Sequence, residues 1–214
     1  MLTQENLTNA LQKGLNAKQR QLLQQTHVAI AGLGGLGSNV AVWLARLGIG
    51  HLTLIDFDKV ELSNLNRQYY FLQDIGEYKA TALQKLLRQI NPYGAYQIYT
   101  ERLTEKNIPQ LLNDAAIICE ALDNAADKAM LANTILADYP EKYLVAASGI
   151  AGFDSGNKMQ IRQISDRFFL CGDGQSDCND FPLCGARVGL CAAQQALTIA
   201  RIILGFTNTK TEAK

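Results

Sequence analysis

Residues 27–38 have the sequence HVAIAGLGGLGS, in which a short apolar run leads directly into a glycine-rich turn. The run has the length and composition of a buried strand. Glycines permit a tight turn and let backbone amides approach a ligand closely. Helical character follows from Leu36 to Leu47, and residues 51–55 form a second apolar run. Strand, turn, helix and strand within about 30 residues predict a βαβ unit.

The same alternation continues along the chain. Strands alternating with helices predict an α/β fold, a Rossmann-like, doubly wound and largely parallel sheet with helices on both faces. Residues 172–182 are polar and contain glycine, so we predict a long mobile loop there. We predict further helices at 79–90, 108–113, 124–137 and 186–204, and further strands at 96–101, 115–120, 143–147 and 159–164.

We expect three segments and a single domain. Residues 1–26 form an N-terminal helical segment with a thin apolar face, residues 27–206 form the α/β domain, and residues 207–214 form a polar tail. No repeat, low-complexity segment or linker divides the domain.

Charge and composition limit the partners and the location. The 214 residues include 20 basic and 20 acidic side chains, so no bulk field favours a nucleic acid or an anionic membrane. The N-terminus lacks the basic start and apolar run of a signal peptide. No apolar stretch reaches the roughly 18 residues that cross a bilayer. We expect a cytoplasmic protein with neither nucleic acid nor membrane as a partner.

The glycine turn lies in the context of a nucleotide site. Gly32, Gly34, Gly35 and Gly37 follow a strand and open a helix, whose N-terminus favours a phosphate group. Asp56 ends the second strand, where its carboxylate can accept from ribose hydroxyls. These features alone are typical of an NAD-dependent dehydrogenase. The alternative is that this is an ordinary glycine turn with no ligand, and that Asp56 is an unrelated surface aspartate.

Basic and amide side chains after Asp56 favour a triphosphate over a nicotinamide. Asn64 and Arg67 lie in the stretch SNLNRQ at 63–68, and Lys79 follows. Arginine clamps phosphate oxygens in a bidentate way, and lysine acts as a compact point charge. For either cation taken alone, solvated surface charge is the favoured interpretation, and only the order of the residues along the chain favours phosphate binding.

Asp123 and Asn124 end another predicted strand, at the carboxyl edge where α/β sheets place their ligands. The carboxylate of Asp123 suits a magnesium ion that bridges phosphates. The alternative is that Asp123 caps the following helix.

These residues together resemble the ThiF/MoeB/HesA family, the bacterial relatives of ubiquitin-activating enzymes. The resemblance rests on Gly-Leu-Gly-Gly-Leu-Gly-Ser at 32–38, Ile-Asp-Phe-Asp at 55–58, Ser-Asn-Leu-Asn-Arg-Gln at 63–68, Lys79 and Asp123-Asn124, and it runs in order from about residue 27 to residue 205. The stretch Ala-Ser-Gly-Ile-Ala-Gly at 147–152 looks most like a compact ThiF-type branch associated with thiamine biosynthesis.

The resemblance implies an adenylyltransferase that uses ATP and Mg²⁺ on the C-terminal Gly-Gly carboxylate of a ubiquitin-like sulfur carrier such as ThiS. By this resemblance the glycines and Asp56 bind the nucleotide, Asn64, Arg67 and Lys79 hold the triphosphate, Asp123 binds Mg²⁺ and Asn124 lies beside the nucleotide. Arg67, Lys79 and Asp123 are the expected catalytic residues. A molybdopterin-type carrier, an NAD-dependent oxidoreductase and a non-catalytic nucleotide-binding protein are the rival hypotheses.

The five cysteines depart from the family pattern. Many relatives hold a structural zinc with two Cys-x-x-Cys pairs, whereas Cys171, Cys178, Cys184 and Cys191 are spaced too widely, so we predict no zinc. Cys171, Cys178 and Cys184 lie in or beside the predicted loop, where relatives can carry a cysteine that bonds to the carrier. Cys119 and Cys191 are expected to be buried.

Two further expectations concern assembly. The resemblance implies a homodimer, in which Arg20 is a candidate for acting on the partner's site. Tyr69, Tyr70 and Phe71 are equally compatible with core packing and with a dimer contact.

Overall fold

The computed structural model describes residues 3–206. Strands and helices alternate along this part of the chain, as the sequence predicts. The strands are β1 (His27–Ala31), β2 (His51–Ile55), β3 (Ala95–Tyr99), β4 (Ile117–Glu120), β5 (Tyr143–Ala147), β6 (Gln160–Ser165) and β7 (Phe168–Gly172), and the helices are α1 (Gln4–Leu11), α2 (Ala17–Gln25), α3 (Gly35–Arg46), α4 (Lys79–Ile90), α5 (Ile108–Leu111), α6 (Ala125–Asp138) and α7 (Gly185–Ile203).

The strands form one sheet in the order β3-β2-β1-β4-β5-β7-β6. All neighbours run parallel except β6, which is antiparallel to β7. Alternate residues of β1 enter two apolar cores, one with α3, α4 and α7 and the other with α5 and α6. Because successive side chains of a strand point to opposite faces, the two cores cover opposite faces of the sheet. The predicted Rossmann-like fold is confirmed.

The parallel register brings the ends of three strands to one edge. Ala31 at the end of β1 pairs with Ile55 of β2 and Glu120 of β4. The strand order reverses between β1 and β4, which is where open α/β sheets bind ligands. The glycine turn after β1 therefore lies next to the segments that carry Asp56 and Asp123.

Strand β7 was missed by the sequence prediction, which had only a loop near this point. Its residues do not alternate, because β7 is an interior strand that pairs with β5 on one side and β6 on the other. Buried interior strands lack the period-two pattern that marks a strand with one solvated face. The loop that follows β7 runs from 173 to 184, close to the predicted 172–182.

The predicted N-terminal helical segment consists of two short helices, α1 and α2, and Leu23 of α2 is fully buried. The proposed polar tail at 207–214 lies outside the described residues. Within residues 3–206, no helix is both long enough and apolar enough to cross a membrane.

Replacing Gly37 by alanine is expected to destabilise the fold. A Cβ atom at Gly37 would lie 1.9 Å from the carbonyl oxygen of Gly32, so the turn or α3 would have to move. We expect urea unfolding of Gly37→Ala to show a free energy of unfolding lower by about 2–4 kcal/mol. Gly189→Ala is the control, because its Cβ would meet nothing within 4 Å, and it should gain roughly 0.5–1 kcal/mol. Equal stability of the two variants would contradict the close approach.

Candidate functional site

A cavity of about 790 Å³ opens at the carboxyl ends of β1, β2, β4 and β5. The glycine turn, the segment after β2 and the segment after β4 form one half of its lining. Two loops after β5 and β7 form the other half. The predicted site residues Gly32, Gly34, Gly35, Asp56, Arg67, Lys79, Asp123 and Asn124 all line this cavity.

The glycine turn presents the start of α3 to the cavity. Gly34 is the N-cap of α3 and no side chain caps the helix, so its first backbone N–H groups are available to an anion. A Cβ at Gly35 would lie 2.9 Å from Val188 Cγ1, so α7 is packed closely against this turn. Gly37 does not line the cavity. It lies instead against the Gly32 carbonyl, and its contact with a nucleotide stays a prediction.

Asp56 ties the end of β2 to the glycine turn. One carboxylate oxygen accepts the backbone N–H of Leu33 at 2.7 Å, and the other accepts that of Asp58 at 2.8 Å. Burial raises the pKa of Asp56, while the nearby Lys79 and the two N–H donors oppose that shift. The carboxylate lines the cavity and keeps acceptor capacity there, in agreement with its expected position beside a ribose.

Lys79, the first residue of α4, has a side chain that is only 8% exposed and forms an ion pair with Asp58 at 2.8 Å. The backbone N–H of Lys79 also donates to the carbonyl of Asp58, at 2.9 Å. This double contact fixes the ammonium group at the cavity wall.

The SNLNRQ segment contributes differently from the prediction. Arg67 lines the cavity and donates only to neutral oxygens, the Ser63 carbonyl at 3.1 Å and Asn66 Oδ1 at 2.8 Å. Asn64 does not line the cavity. Its Oδ1 accepts the backbone N–H of Glu61 at 3.0 Å and so closes a short 3-10 turn. Gln68, not predicted, is buried beside Gly34, and its Oε1 has no hydrogen-bond partner.

Asp123 and Asn124, which follow β4, have different roles. Asn124, not Asp123, is the N-cap of α6, with its Oδ1 accepting from Ala126 at 2.8 Å and Asp127 at 3.2 Å. The Asp123 side chain is exposed in the cavity and contacts no described partner. Because the neighbouring residue caps the helix, the carboxylate is left available to a ligand.

Asp123 is distinct among the described cavity carboxylates. Each of the others accepts a hydrogen bond or forms an ion pair, and these are Asp56, Asp58, Glu101, Asp127 and Asp177. A free carboxylate opposite a helix N-terminus has the donor chemistry that Mg²⁺ prefers when it also binds phosphate oxygens. The residues present therefore fit this ion.

A buried ion pair supports the segment that carries Asp123. Lys128 Nζ lies 2.8 Å from both carboxylate oxygens of Glu120 and 3.1 Å from the Leu122 carbonyl. Glu120 also accepts the backbone N–H of Leu122 at 2.8 Å. These bonds hold the N–H and the carbonyl of Leu122, and they thereby fix the backbone that leads into Asp123.

Further cavity residues were not predicted. Phe57, which is 48% exposed, lies under the guanidinium of Arg102, and Arg102 forms an ion pair with Asp127 at 2.7 Å. These three residues join the segments after β2 and β4 across one end of the cavity. The one sequence signal that could have placed Phe57 in the cavity is its position directly after Asp56.

The cysteines divide by exposure. Cys119 and Cys191 are buried, as predicted. Cys171 was placed among the loop cysteines, but it is buried in β7 with its sulfur 3.9 Å from Thr198 Oγ1, and burial raises its pKa to about 12. Cys184 is half-buried, whereas Cys178 is exposed and lines the cavity. The expectation of no zinc stays a prediction.

Of the residues considered for assembly, Tyr70 is buried and its hydroxyl donates to the Leu33 carbonyl at 2.8 Å. Tyr69 and Phe71 are exposed and pack edge to face. Arg20 donates to the Leu15 carbonyl and to Asn9 within its own chain. Its action on a partner's site stays a prediction.

Fold and site together define a Rossmann-like nucleotide-binding protein. A profile described as the ThiF family matches residues 7–214. The chain belongs to the ThiF family.

Named relatives share parts of the sequence. The sulfur carrier protein adenylyltransferase of Thermus thermophilus is 34% identical over 127 residues, which are 59% of this chain and 42% of that protein. A probable molybdopterin-synthase adenylyltransferase of Porphyra purpurea is 27% identical over 195 residues, 88% of this chain and 51% of that protein. The chain spans between about a quarter and about half of the length of the curated relatives it matches.

Solved structures extend the comparison to the whole fold. The E. coli tRNA N6-threonylcarbamoyladenosine dehydratase TcdA, in complex with ATP, superposes with a TM-score of 0.80 at 23% identity, covering 95% of this chain and 97% of that chain.

The cysteine environments predict an order of thiol modification. A pKa of about 12 leaves roughly one Cys171 thiol in ten thousand ionised at pH 8. We expect maleimide to label Cys178 first and Cys184 more slowly, and to reach Cys119, Cys171 and Cys191 only after unfolding. Peptide mass spectrometry of the native protein measures this order. Labelling of Cys171 as fast as Cys178 would show that β7 is not packed as described.

Proposed function

We propose that this chain uses ATP to adenylylate the C-terminal Gly-Gly carboxylate of a ubiquitin-like sulfur carrier of the ThiS type, in the synthesis of the thiazole of thiamine. One observation carries the proposal. Asp123 is the unpartnered carboxylate of the described cavity, and it shares that cavity with the open N-terminus of α3 and with Arg67 and Lys79. Negative phosphates and a divalent cation together satisfy this set of groups.

The nucleotide position follows from the elements that form the cavity. Asp56 at the end of β2 accepts from the ribose, and the phosphates lie over Gly34 and Gly35 at the start of α3. Phe57 and Arg102 enclose the end of the cavity beyond the ribose, where the base is placed. The triphosphate then lies within reach of Arg67 and Lys79.

The reaction needs little from the protein beyond position and charge. A carboxylate oxygen of the carrier attacks the α-phosphorus, the bond to the bridging oxygen breaks, and pyrophosphate leaves with that electron pair. The acyl-adenylate remains. The attacking group is already ionised, so no general base is required, and catalysis rests on orientation and on stabilising charge at phosphate oxygens.

The chain's own residues divide this work. Arg67 has no carboxylate partner among the described residues, so its guanidinium is free to turn to the leaving phosphates. Lys79, fixed by Asp58, supplies a positive charge that does not have to be ordered at the moment of reaction. Asp123 is the residue that would hold Mg²⁺, and the ion would neutralise phosphate charge there. Asn124 orients the start of α6 beside the nucleotide.

The names of the relatives support adenylyl transfer as the reaction more firmly than they support the identity of the carrier. One is named a sulfur carrier protein adenylyltransferase and another a probable molybdopterin-synthase adenylyltransferase. A molybdopterin-type carrier is therefore the first alternative within the class. We further propose a homodimeric, cytoplasmic enzyme, on the resemblance to the family.

ATP–pyrophosphate exchange tests the proposal directly. Purified protein with Mg²⁺ is expected to incorporate labelled pyrophosphate into ATP only when the ThiS-like carrier from the same genome is added with its Gly-Gly end intact. A carrier lacking the last glycine is the matched control. Exchange with a molybdopterin-type carrier instead, or with tRNA instead, would reassign the substrate. Binding of NAD in preference to ATP would overturn the proposal that the protein is an adenylyltransferase.

Asp123→Ala is expected to lower the exchange rate at least about a hundredfold, since the ion and its charge stabilisation are lost. The fold should survive, because the carboxylate makes no contact with described residues. Circular dichroism and ATP binding without Mg²⁺ check that point. Asp138→Ala, which removes an exposed aspartate at the other end of α6, should retain wild-type exchange. Wild-type turnover by Asp123→Ala would remove Asp123 from the mechanism.

A further inference from the structure

A buried ion pair lies outside the nucleotide half of the cavity. Arg187, near the start of α7, and Asp173, just after β7, meet at 2.5 Å, with side chains only 4% and 9% exposed. The same guanidinium donates to the carbonyls of Asp154 at 2.5 Å and Ser155 at 3.3 Å. Neither residue lines the cavity, and the proposed chemistry does not use them.

Asp173 connects this pair to the two loops that form the other half of the cavity, residues 148–155 and 172–183. Its Oδ1 accepts the backbone N–H groups of Gln175 at 2.8 Å and Ser176 at 2.9 Å. The Ser176 hydroxyl in turn accepts the N–H of Ala151 at 3.0 Å. Burial would raise the pKa of Asp173, but the donors around it lower that pKa to about 2, so it stays ionised at neutral pH.

Asp173 is closely packed on the side that faces Gly149. Gly149 has φ +76°, and a Cβ there would lie 1.9 Å from Asp173 Oδ1. Breaking a buried ion pair on one side leaves an uncompensated charge. A single contact therefore fixes two loops and the start of α7 relative to one another.

The loop wall combines small side chains with free backbone donors. Ser148, Gly149, Ala151 and Ser176 contribute small side chains, and larger ones such as Ile150 and Leu183 lie beside them. The backbone N–H groups of Gly149 and Ile150 donate to no described residue. Unpaired backbone donors beside small side chains suit an extended chain that itself lacks side chains.

We propose that the Arg187–Asp173 pair is a positioning device for the carboxylate substrate, because it holds the two loops so that their wall receives an extended glycine-ended tail. The proposal rests on the proposed adenylylation. It assigns the loops to the carrier tail and leaves nucleotide binding to the glycine turn and the segments after β2 and β4.

Arg187→Ala tests this by two separate readouts. In amide hydrogen exchange, protection of Ala151, Gln175 and Ser176 should fall at least about tenfold, while β1 and α3 keep theirs. In steady-state kinetics, the KM for the carrier should rise about tenfold or more, with the KM for ATP within twofold. Arg187→Lys, which keeps one charge contact with Asp173, should recover part of both effects.

Two further variants make the result decisive. Gly149→Ala forces the same contact apart from the other side and should reproduce the loss of protection, even if Arg187→Ala folds poorly. Its KM for the carrier does not test the pair, because Gly149 itself lines the wall. Lys158→Ala is the matched control. It removes a cation from the exposed pair with Asp154, at 2.5 Å, and should change neither readout.

Each outcome decides a different point. Unchanged protection in Arg187→Ala and Gly149→Ala would show that the pair does not hold the loops. Lost protection with an unchanged KM for the carrier would show that the wall does not receive the tail. A wild-type protein without any carrier-dependent exchange would refute the proposed function, and with it the substrate assignment, while hydrogen exchange would still decide the role of the ion pair.

Discussion

The close approach between the Gly32 carbonyl and Gly37 determines where α3 begins and, through it, the position of the cavity. With hydrogen in place of a side chain, α3 packs directly onto the turn that leaves β1. Gly32 has φ +87°, a conformation that glycine adopts readily, and its Cα faces the Ala121 carbonyl after β4. The two glycines thus bring the ends of β1, β4 and α3 together. Asp56 completes the junction by binding the N–H of Leu33 from the neighbouring strand.

Electrostatic pairing around this junction prepares the site for an anionic ligand. Lys79, Arg102 and Lys128 each have a carboxylate partner, whose negative charge offsets part of the positive field that they would otherwise present to a ligand. Arg67 donates only to neutral oxygens. A fixed cation stabilises phosphate charge without having to move. A cation that has no carboxylate partner forms a stronger new interaction when a phosphate binds. The site combines both kinds, with Asp123 as the carboxylate left for a cation.

Sequence patterns predicted the parts of this site whose geometry is local. The first βαβ unit follows from glycine and apolar runs, and parallel register alone brings Asp56 and Asp123 to one edge. The patterns carried less information in two situations. Where two neighbouring polar residues suit the same local role, the sequence does not say which one takes it: Asn124, and not Asp123, caps α6, and Asn64 closes a turn through the nearby Glu61. Where a neighbour distant in sequence decides, local patterns give no signal, as for Cys171, which α7 covers in a strand without alternation.

The two histidines give a final argument about the kind of chemistry. His27 and His51 are register partners at the first residues of β1 and β2, so both lie at the sheet edge opposite the cavity. Five-residue strands separate those edges by roughly 13 Å. Tyr70 near the turn is buried, which raises its pKa well above the usual value, and it donates to a carbonyl. Because of that separation, neither histidine can reach a substrate in this cavity as a general acid or base. The acyl-adenylate formation proposed above makes no demand on a histidine, because its nucleophile is already an ionised carboxylate and its leaving group is stabilised by fixed charge.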